Sequence, residues 1–483
     1  MREKTKVSRK GAKSAKCFLK NSSAALRENF LQLCVKESPW QRHQERKVEF
    51  PLAIKGSYSE HLFLLPSRFV NIFDQPTMHG SQEAIKALAR DAILTPKEEM
   101  LEVRKKKSDL YIGIPRETAF QEHRVALVPQ AVQLLVNNGS RVVIETNAGK
   151  DARIEDHEYS EAGAEIVQSR EQIYEADIIL KVAPPTDEEI GMMKQKQILI
   201  SALQLSVQPK DTLKKLMDKK VSAIAWDFIK DETGIFPIVR AMSEIAGNTA
   251  MLIAAEYLSN MNDGSGLMLG GISGVAPAEV VIIGAGTAGE FAARGALGLG
   301  ASVKVFDNTI YRLRRLQNDL GTRLYTSVIQ PAVLENAIIN ADVVVGALRG
   351  KGGRAPCVLT EDMVKQMKNG SVIIDISIDQ GGCCETSRVT SHTNPVFRKH
   401  GVIHYCVPNI ASRVSRTASM ALSNIFAPVL LNIADEGGCA NLIRKDEGFR
   451  HGVYMYNGTL TNEILGLAFN LPYKDIHLLF AAM

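Results

Sequence analysis

The sequence predicts an α/β protein of two doubly wound, parallel-sheet domains with a cleft between them. Three observations carry that prediction. From residue 109 onward, short β-branched runs alternate with helix-period segments, the pattern of parallel strands joined by crossover helices. One of those runs, Val280–Ile283, leads into a glycine turn and a small-residue helix. From about Arg416 the chain reads as helical, with an apolar stripe longer than one domain needs, so these C-terminal helices are expected to return and complete the first domain.

The leading segment stands apart. Its first 50 residues hold 13 Lys+Arg against 5 Glu, whereas the rest of the chain holds 45 basic and 48 acidic residues. The formal charge of +5 therefore belongs to the leader, and nothing supports nucleic-acid binding by the body. Residues 1–77 are irregular and read as an upstream extension, with Met78 as the natural start; a disordered leader and a targeting sequence are the other two readings. Residues 78–108 read as a helical lead-in. No run approaches the roughly 20 apolar residues of a membrane span. The seven cysteines form no CxxC pair, so neither a disulfide framework nor a metal site is expected; Cys383 and Cys384 read as small buried residues.

In the first domain, strands are expected at Leu110–Ile114, Arg141–Ile144, Ala176–Lys181, Ile198–Leu203 and Ser222–Trp226, with a helix from Pro129 to Asn138. A long helix over 243–260 takes Ser243 as its N-cap, with Ile245, Ala246, Leu252, Ile253 and Leu258 mostly inside. It connects to the second domain, whose strands are Val280–Ile283, Val303–Phe306, Asp342–Ala347, Ser371–Ile376 and Val402–Cys406. The domain boundaries are thus 109–240 with 416–483, and 241–415.

The Val280–Asp307 unit is a Rossmann-like dinucleotide fingerprint. Gly284 allows the tight turn, Gly286 lets backbone N–H groups approach a pyrophosphate, and Gly289 lets the helix pack on the strand. Asp307, ending the second strand, is placed to accept from ribose hydroxyls and repels a 2′-phosphate, which selects NAD over NADP. Four further segments put polar groups at strand ends, where doubly wound sheets carry their sites. Arg124 precedes an apolar run and is read from spacing alone as a surface ion pair rather than an anion anchor. Lys181 ends an apolar strand, where an unpaired ammonium is costly. Asp379 lies on a turn after a strand that contains Asp375, and Asn409 follows the last strand of the nucleotide domain.

In order along residues 109–483, the motifs IGIPRE, EHRVALVP, ILKVAPP, MSEIAGNTA, GGISGV, VVIIGAGTAG, VKVFD, IDISIDQGG and YCVPNIASRV resemble the alanine dehydrogenase family. That family shares its fold with the NAD-binding subunit of proton-translocating transhydrogenase. The resemblance implies that Arg124 grips a substrate carboxylate, reversing the spacing-only reading, and that Lys181 is a second substrate contact. It implies that Asp379 is the catalytic carboxylate. Asp307 matches the ribose-binding acid, and Ser243, Arg312, Arg388 and Asn409 match cofactor-contacting positions. It also implies a homo-oligomer, a hexamer; the cytoplasmic expectation comes instead from the cysteine pattern, which fits a reducing cytosol.

At one position the chain departs from the pattern. Where the family has a catalytic histidine, this chain has Gln204, in SALQLSVQP. Glutamine hydrogen-bonds but does not exchange protons near neutral pH, and loss of a general acid–base group typically costs about 10²–10⁴ in rate. Asp379, Lys181 or His123 could take over that work, or Gln204 could orient the substrate carbonyl. The leading expectation is NAD-dependent oxidative deamination of L-alanine to pyruvate and ammonium. A dehydrogenase of another 2-amino acid, a transhydrogenase-like subunit and a catalytically silent NAD-binding protein are the alternatives.

Overall fold

The computed structural model describes residues 109–119, 121–203, 210–350 and 354–481. The readings made for 1–77, 78–108 and Gln204 lie outside the described residues.

Six strands are consecutive in the first sheet: β1 Tyr111–Ile114, β2 Arg141–Glu145, β3 Glu165–Val167, β4 Ile178–Leu180, β5 Ile198–Ser201 and β6 Ser222–Ala225. They pair in parallel in the spatial order β3-β2-β1-β4-β5-β6. The second sheet repeats that order. Its strands are β7 Glu279–Ile283, β8 Ser302–Phe306, β9 Tyr325–Ser327, β10 Val343–Gly346, β11 Val372–Asp375, β12 Val396–Lys399 and β13 Val402–Tyr405. The parallel set runs β9-β8-β7-β10-β11-β13, with β12 antiparallel at the edge. Each sheet reverses direction of progression once, at β1/β4 and at β7/β10, and such switch points open a crevice beyond the strand ends. The central strands of each sheet are valine- and isoleucine-rich and buried because helices cover both faces, whereas the outer strands β3, β9 and β12 are partly exposed.

Four helices matter for the site: α1 Pro129–Asn137, α2 Pro237–Leu258, α3 Thr287–Gly298 and α4 Ser415–Asp435. The α2 helix begins earlier than expected, with Pro237 in its first turn after the extended Phe236. Proline costs nothing there, since the first N–H groups have no helical acceptor. Ser243 is therefore not an N-cap: it sits inside the helix, and its hydroxyl donates to the Val239 carbonyl at 2.7 Å. Leu252 is likewise not inside but 60% exposed. At Gly247 the helices α2 and α3 approach so closely that a Cβ would strike the Ala288 carbonyl.

The C-terminal region does return to the first sheet, but not as helix alone. Two unforeseen strands, β14 Val453–Tyr456 and β15 Thr459–Leu460, extend it antiparallel beside β6. Their hairpin turns at Asn457-Gly458, both at positive φ, and the β12–β13 hairpin turns likewise at His400-Gly401. Two-residue turns of this kind demand such φ values, so the two dipeptides were the available sequence signal. The expectation on long apolar runs also needs correction. The helical stretch Ile410–Asp435 contains an 18-residue window with a mean hydropathy of 1.4 and is long and apolar enough to cross a membrane. Within it, Leu422, Phe426, Ala427, Leu430 and Ile433 are buried in the first domain's core beside residues of α1.

Candidate functional site

The glycine turn joins β7 to α3. Gly284 has φ +114°, and a Cβ on it would strike the Ala347 carbonyl beyond β10. A Cβ on Gly289 would strike the Gly284 carbonyl, so the helix sits directly on the turn. At Gly286 a Cβ would meet nothing within 4 Å. The turn is tight where the chain packs on itself and open at the helix N-terminus, where backbone N–H groups and the helix dipole favour an anion. These features fit a dinucleotide pyrophosphate.

Asp307 follows β8 and is only 3% exposed. Its carboxylate accepts from Ala285 N–H at 2.8 Å and Thr309 N–H at 2.7 Å, which fixes it against the turn. Each oxygen retains capacity for a second donor such as a ribose hydroxyl. Arg312 Nη1 lies 3.7 Å from Asp307, so those two predicted residues are brought together. Ser243 lies one helical turn before Gly247, on the face that meets α3. Arg388 stands apart, exposed, with its guanidinium 4.2 Å over the Phe397 ring on edge strand β12.

Opposite, the loop from β1 to α1 carries Glu117, Glu122 and Arg124. Arg124 is 6% exposed, so it is no surface pair. Its Nε and Nη2 donate to the two oxygens of Glu122 at 2.7 and 2.6 Å, and Nη1 lies 3.3 Å from Met242 Sδ. One edge of the guanidinium fork is thus occupied, which leaves the Nη1 side for a ligand carboxylate. Burial pushes the Glu122 carboxyl pKa up, but the Arg124 charge and hydrogen bonds and the Asn409 amide bring it below the usual value.

Three serines that the sequence reading passed over hold this loop. Ser412 accepts from His123 N–H at 2.8 Å, Ser419 from Val125 N–H at 3.0 Å and Ser423 from Val128 N–H at 3.0 Å. All three are buried, Ser419 and Ser423 lie four residues apart on α4, and unpaired backbone N–H groups would be costly there. Small polar residues inside an apolar helical stripe were the signal.

Asp379 and Asn409 meet this loop from the second sheet. Asn409 has φ +54°; its N–H donates to Asp379 Oδ1 at 2.9 Å and its side-chain amide to Glu122 Oε2 at 2.8 Å. Asp379 lies in the short helical turn after β11 and is open to the cleft, yet dense surroundings still desolvate it. That desolvation raises its pKa, against the lowering effects of the Asn409 N–H and the Arg124 charge. The turn beyond β10 links the two halves, because Leu348 N–H donates to Ser377 Oγ while neighbouring Ala347 faces Gly284. Asp375, by contrast, is buried and accepts from Cys383 N–H and the Ser387 hydroxyl. Cys383 and Cys384 are buried, as expected.

Lys181 follows β4 and is fully enclosed. Its Nζ lies 2.9 Å from Glu189, 3.4 Å from Glu117 and 3.2 Å from the Pro184 carbonyl. Burial alone lowers its pKa, but the two carboxylates outweigh that and raise it, so the ammonium persists. The Arg124 charge thus acts on a carboxylate of raised pKa, Asp379, and Glu117 lies between the fields of Arg124 and the second buried cation, Lys181. Such a set can hold an anionic substrate and manage protons beside it.

Comparison with known proteins gives matching results. Residues 113–246 match the model for the alanine dehydrogenase/PNT N-terminal domain, and residues 250–463 that for the C-terminal domain. Over 366 residues the chain is 41% identical to alanine dehydrogenase 2 of Staphylococcus aureus (strain USA300), covering 76% of this chain and 98% of the relative. Among solved structures, an L-alanine dehydrogenase aligns with a TM-score of 0.71 and 36% identity, over 74% of this chain and 99% of that one. A transhydrogenase from Sinorhizobium meliloti, at 24% identity and a TM-score of 0.62 over 73% of this chain and 99% of that one, shares the fold.

Proposed function

The chain belongs to the alanine dehydrogenase/PNT family, and we propose from that membership and from its cleft that it oxidatively deaminates L-alanine with NAD. Alanine, water and NAD become pyruvate, ammonium, NADH and a proton. NAD supplies the acceptor for the hydride that leaves the substrate Cα. Gly284, Gly286 and Gly289 hold its pyrophosphate and Asp307 its ribose, with Arg312, Ser243, Arg388 and Asn409 as further contacts.

Arg124 takes the substrate carboxylate on its Nη1 side, and Lys181 takes the carboxylate or the developing keto oxygen. Asp379, held by Asn409, accepts a proton from the water that adds to the iminium carbon and returns one as ammonium departs. Its raised pKa suits an acceptor that must also give the proton back. At position 204 the chain has a glutamine, which hydrogen-bonds but does not exchange protons near neutral pH. The observation that carries this reading is the bridge Glu122–Asn409–Asp379, which joins the Arg124 loop to the carboxylate of the nucleotide domain.

Two domains, 109–240 with 416–483 and 241–415, close around the substrate. The enzyme acts as a cytoplasmic homo-oligomer, a hexamer, with no membrane or nucleic-acid partner. A panel of L-2-amino acids with NAD at alkaline pH, followed by NADH absorbance, tests the substrate. L-alanine is expected to give the highest kcat/KM, and clear preference for another amino acid overturns the assignment.

A further inference from the structure

The first domain buries more carboxylates around its substrate cations than it has cations to match. Lys181, Arg170 and Arg124 are the cations; Glu117, Glu189, Glu145 and Glu122 are the carboxylates, each with a side chain no more than 9% exposed. Three of the four have a close partner. Glu122 is doubly bonded to Arg124, Glu145 accepts from Arg170 Nε and Nη2 at 3.1 Å each, and Glu189 Oε2 is 2.9 Å from Lys181. Glu189 Oε2 also accepts Thr186 N–H, while its Oε1 lies 3.8 Å from Arg170.

Glu117 is the fourth. One oxygen accepts from Val182 N–H, and Oε2 has the Lys181 ammonium at 3.4 Å but no hydrogen bond among the described residues. The side chain is 5% exposed. A buried carboxylate sharing an ammonium already claimed by another is the member of such a cluster that a proton neutralises at least cost.

We propose that Glu117 is a positioning residue that takes up a proton when an anionic carboxylate substrate binds at Lys181, and so frees the ammonium for that substrate. The inference rests on the reading of Lys181 as a substrate contact. The balance is simple: substrate carboxylate, ionised Glu117 and one solvent proton give a complex with Glu117 neutral, and release reverses this. A new negative charge beside Lys181 favours the protonated form of Glu117. Burial already pushes its carboxyl up to about 7, against the lowering pull of Lys181, with Glu122 and Glu189 adding to the rise. Below that pH Lys181 faces Glu189 alone; above it two carboxylates compete with the substrate, so affinity falls as pH rises. The other charged and titratable groups around this network are Arg170, Glu145 and Tyr174, with Arg124 and Asp379 toward the cleft. His123, on the same loop, faces Asp151 and His392 instead.

The test is calorimetric titration of pyruvate into the full-length protein with NADH bound and ammonium omitted, in buffers of different ionisation enthalpy. A one-unit rise in the Glu117 pKa gives an uptake of roughly half a proton per site near about pH 7.5, and pyruvate binding about tenfold weaker above that window than below it. Glu117→Gln should abolish both the uptake and the pH dependence of Kd, and Glu117→Asp should retain an uptake. Absence of uptake in the unmodified protein overturns the proposal, as does an uptake that survives in Glu117→Gln. Should Glu117→Gln fail to fold, an uptake window unmoved by Glu117→Asp is equally fatal. Lys181→Met separates the two readings: unchanged pyruvate affinity there removes the substrate contact itself, whereas weakened affinity with uptake independent of Glu117 removes only this inference.

Discussion

Asn409 donates its side-chain amide to Glu122 Oε2 at 2.8 Å, from a backbone held at φ +54°. The same residue's N–H reaches Asp379. One asparagine thus fixes the spacing between the loop that carries Arg124 and the turn that carries the proposed proton acceptor. Asparagine tolerates this left-handed conformation better than most residues.

Asn409→Ala and Asn409→Gly separate the two contributions. Alanine should suffer about 1–2 kcal/mol of left-handed strain in addition to the lost amide, while glycine is spared the strain. Both should lower kcat/KM by about tenfold or more, because the stranded Glu122 oxygen costs roughly 1–3 kcal/mol. Thermal unfolding with steady-state kinetics checks this; equal stability of the two variants contradicts the strain argument.

The glycine turn makes opposite predictions at two positions. Gly286→Ala meets open space, so it should fold with an unchanged Tm yet bind NAD about tenfold more weakly or worse, since the methyl occupies the ligand's approach. Gly289→Ala forces a methyl onto the Gly284 carbonyl and should cost about 1–3 kcal/mol of stability. Unfolding midpoints and NAD titration distinguish the two.

Asp307→Ala removes the acceptor for Ala285 N–H and Thr309 N–H and releases Arg312. The NAD/NADP ratio of kcat/KM should fall by at least roughly tenfold, because the repulsion of a 2′-phosphate is gone. An unchanged ratio contradicts Asp307 as the selecting residue.

Arg124→Lys keeps the charge but loses the fork. With Glu122 holding one edge of the guanidinium, a lysine cannot satisfy Glu122 and a substrate carboxylate in the same geometry. KM for L-alanine should rise by about 10²-fold with a smaller loss in kcat, because carboxylate binding is common to ground and transition states.

Much of this fold was readable because parallel strands buried on both faces write continuous Val/Ile runs, as at Val280–Ile283 and Val343–Val345. The antiparallel additions β12, β14 and β15 are short and were signalled only by His400-Gly401 and Asn457-Gly458. The start of α2 was misplaced because Ser243 looks like a cap, while Pro237 states the true beginning more weakly. In the site, Arg124 shows where local spacing fails: its burial depends on Glu122, Asn409 and Met242, and the last two are distant in sequence. Ser412, Ser419 and Ser423 gave only a weak signal, as small polar residues in an apolar stretch, since their acceptor role exists only once α4 and the turn before it pack against the Arg124 loop.

The most direct measurement is NADH formation from L-alanine by the unmodified protein beside Asp379→Asn, with NAD affinity determined separately for each. The account predicts turnover by the unmodified protein, and a loss of about 10²–10⁴ in kcat for Asp379→Asn while NAD affinity stays the same. An unmodified protein that binds NAD but forms no NADH from L-alanine contradicts it.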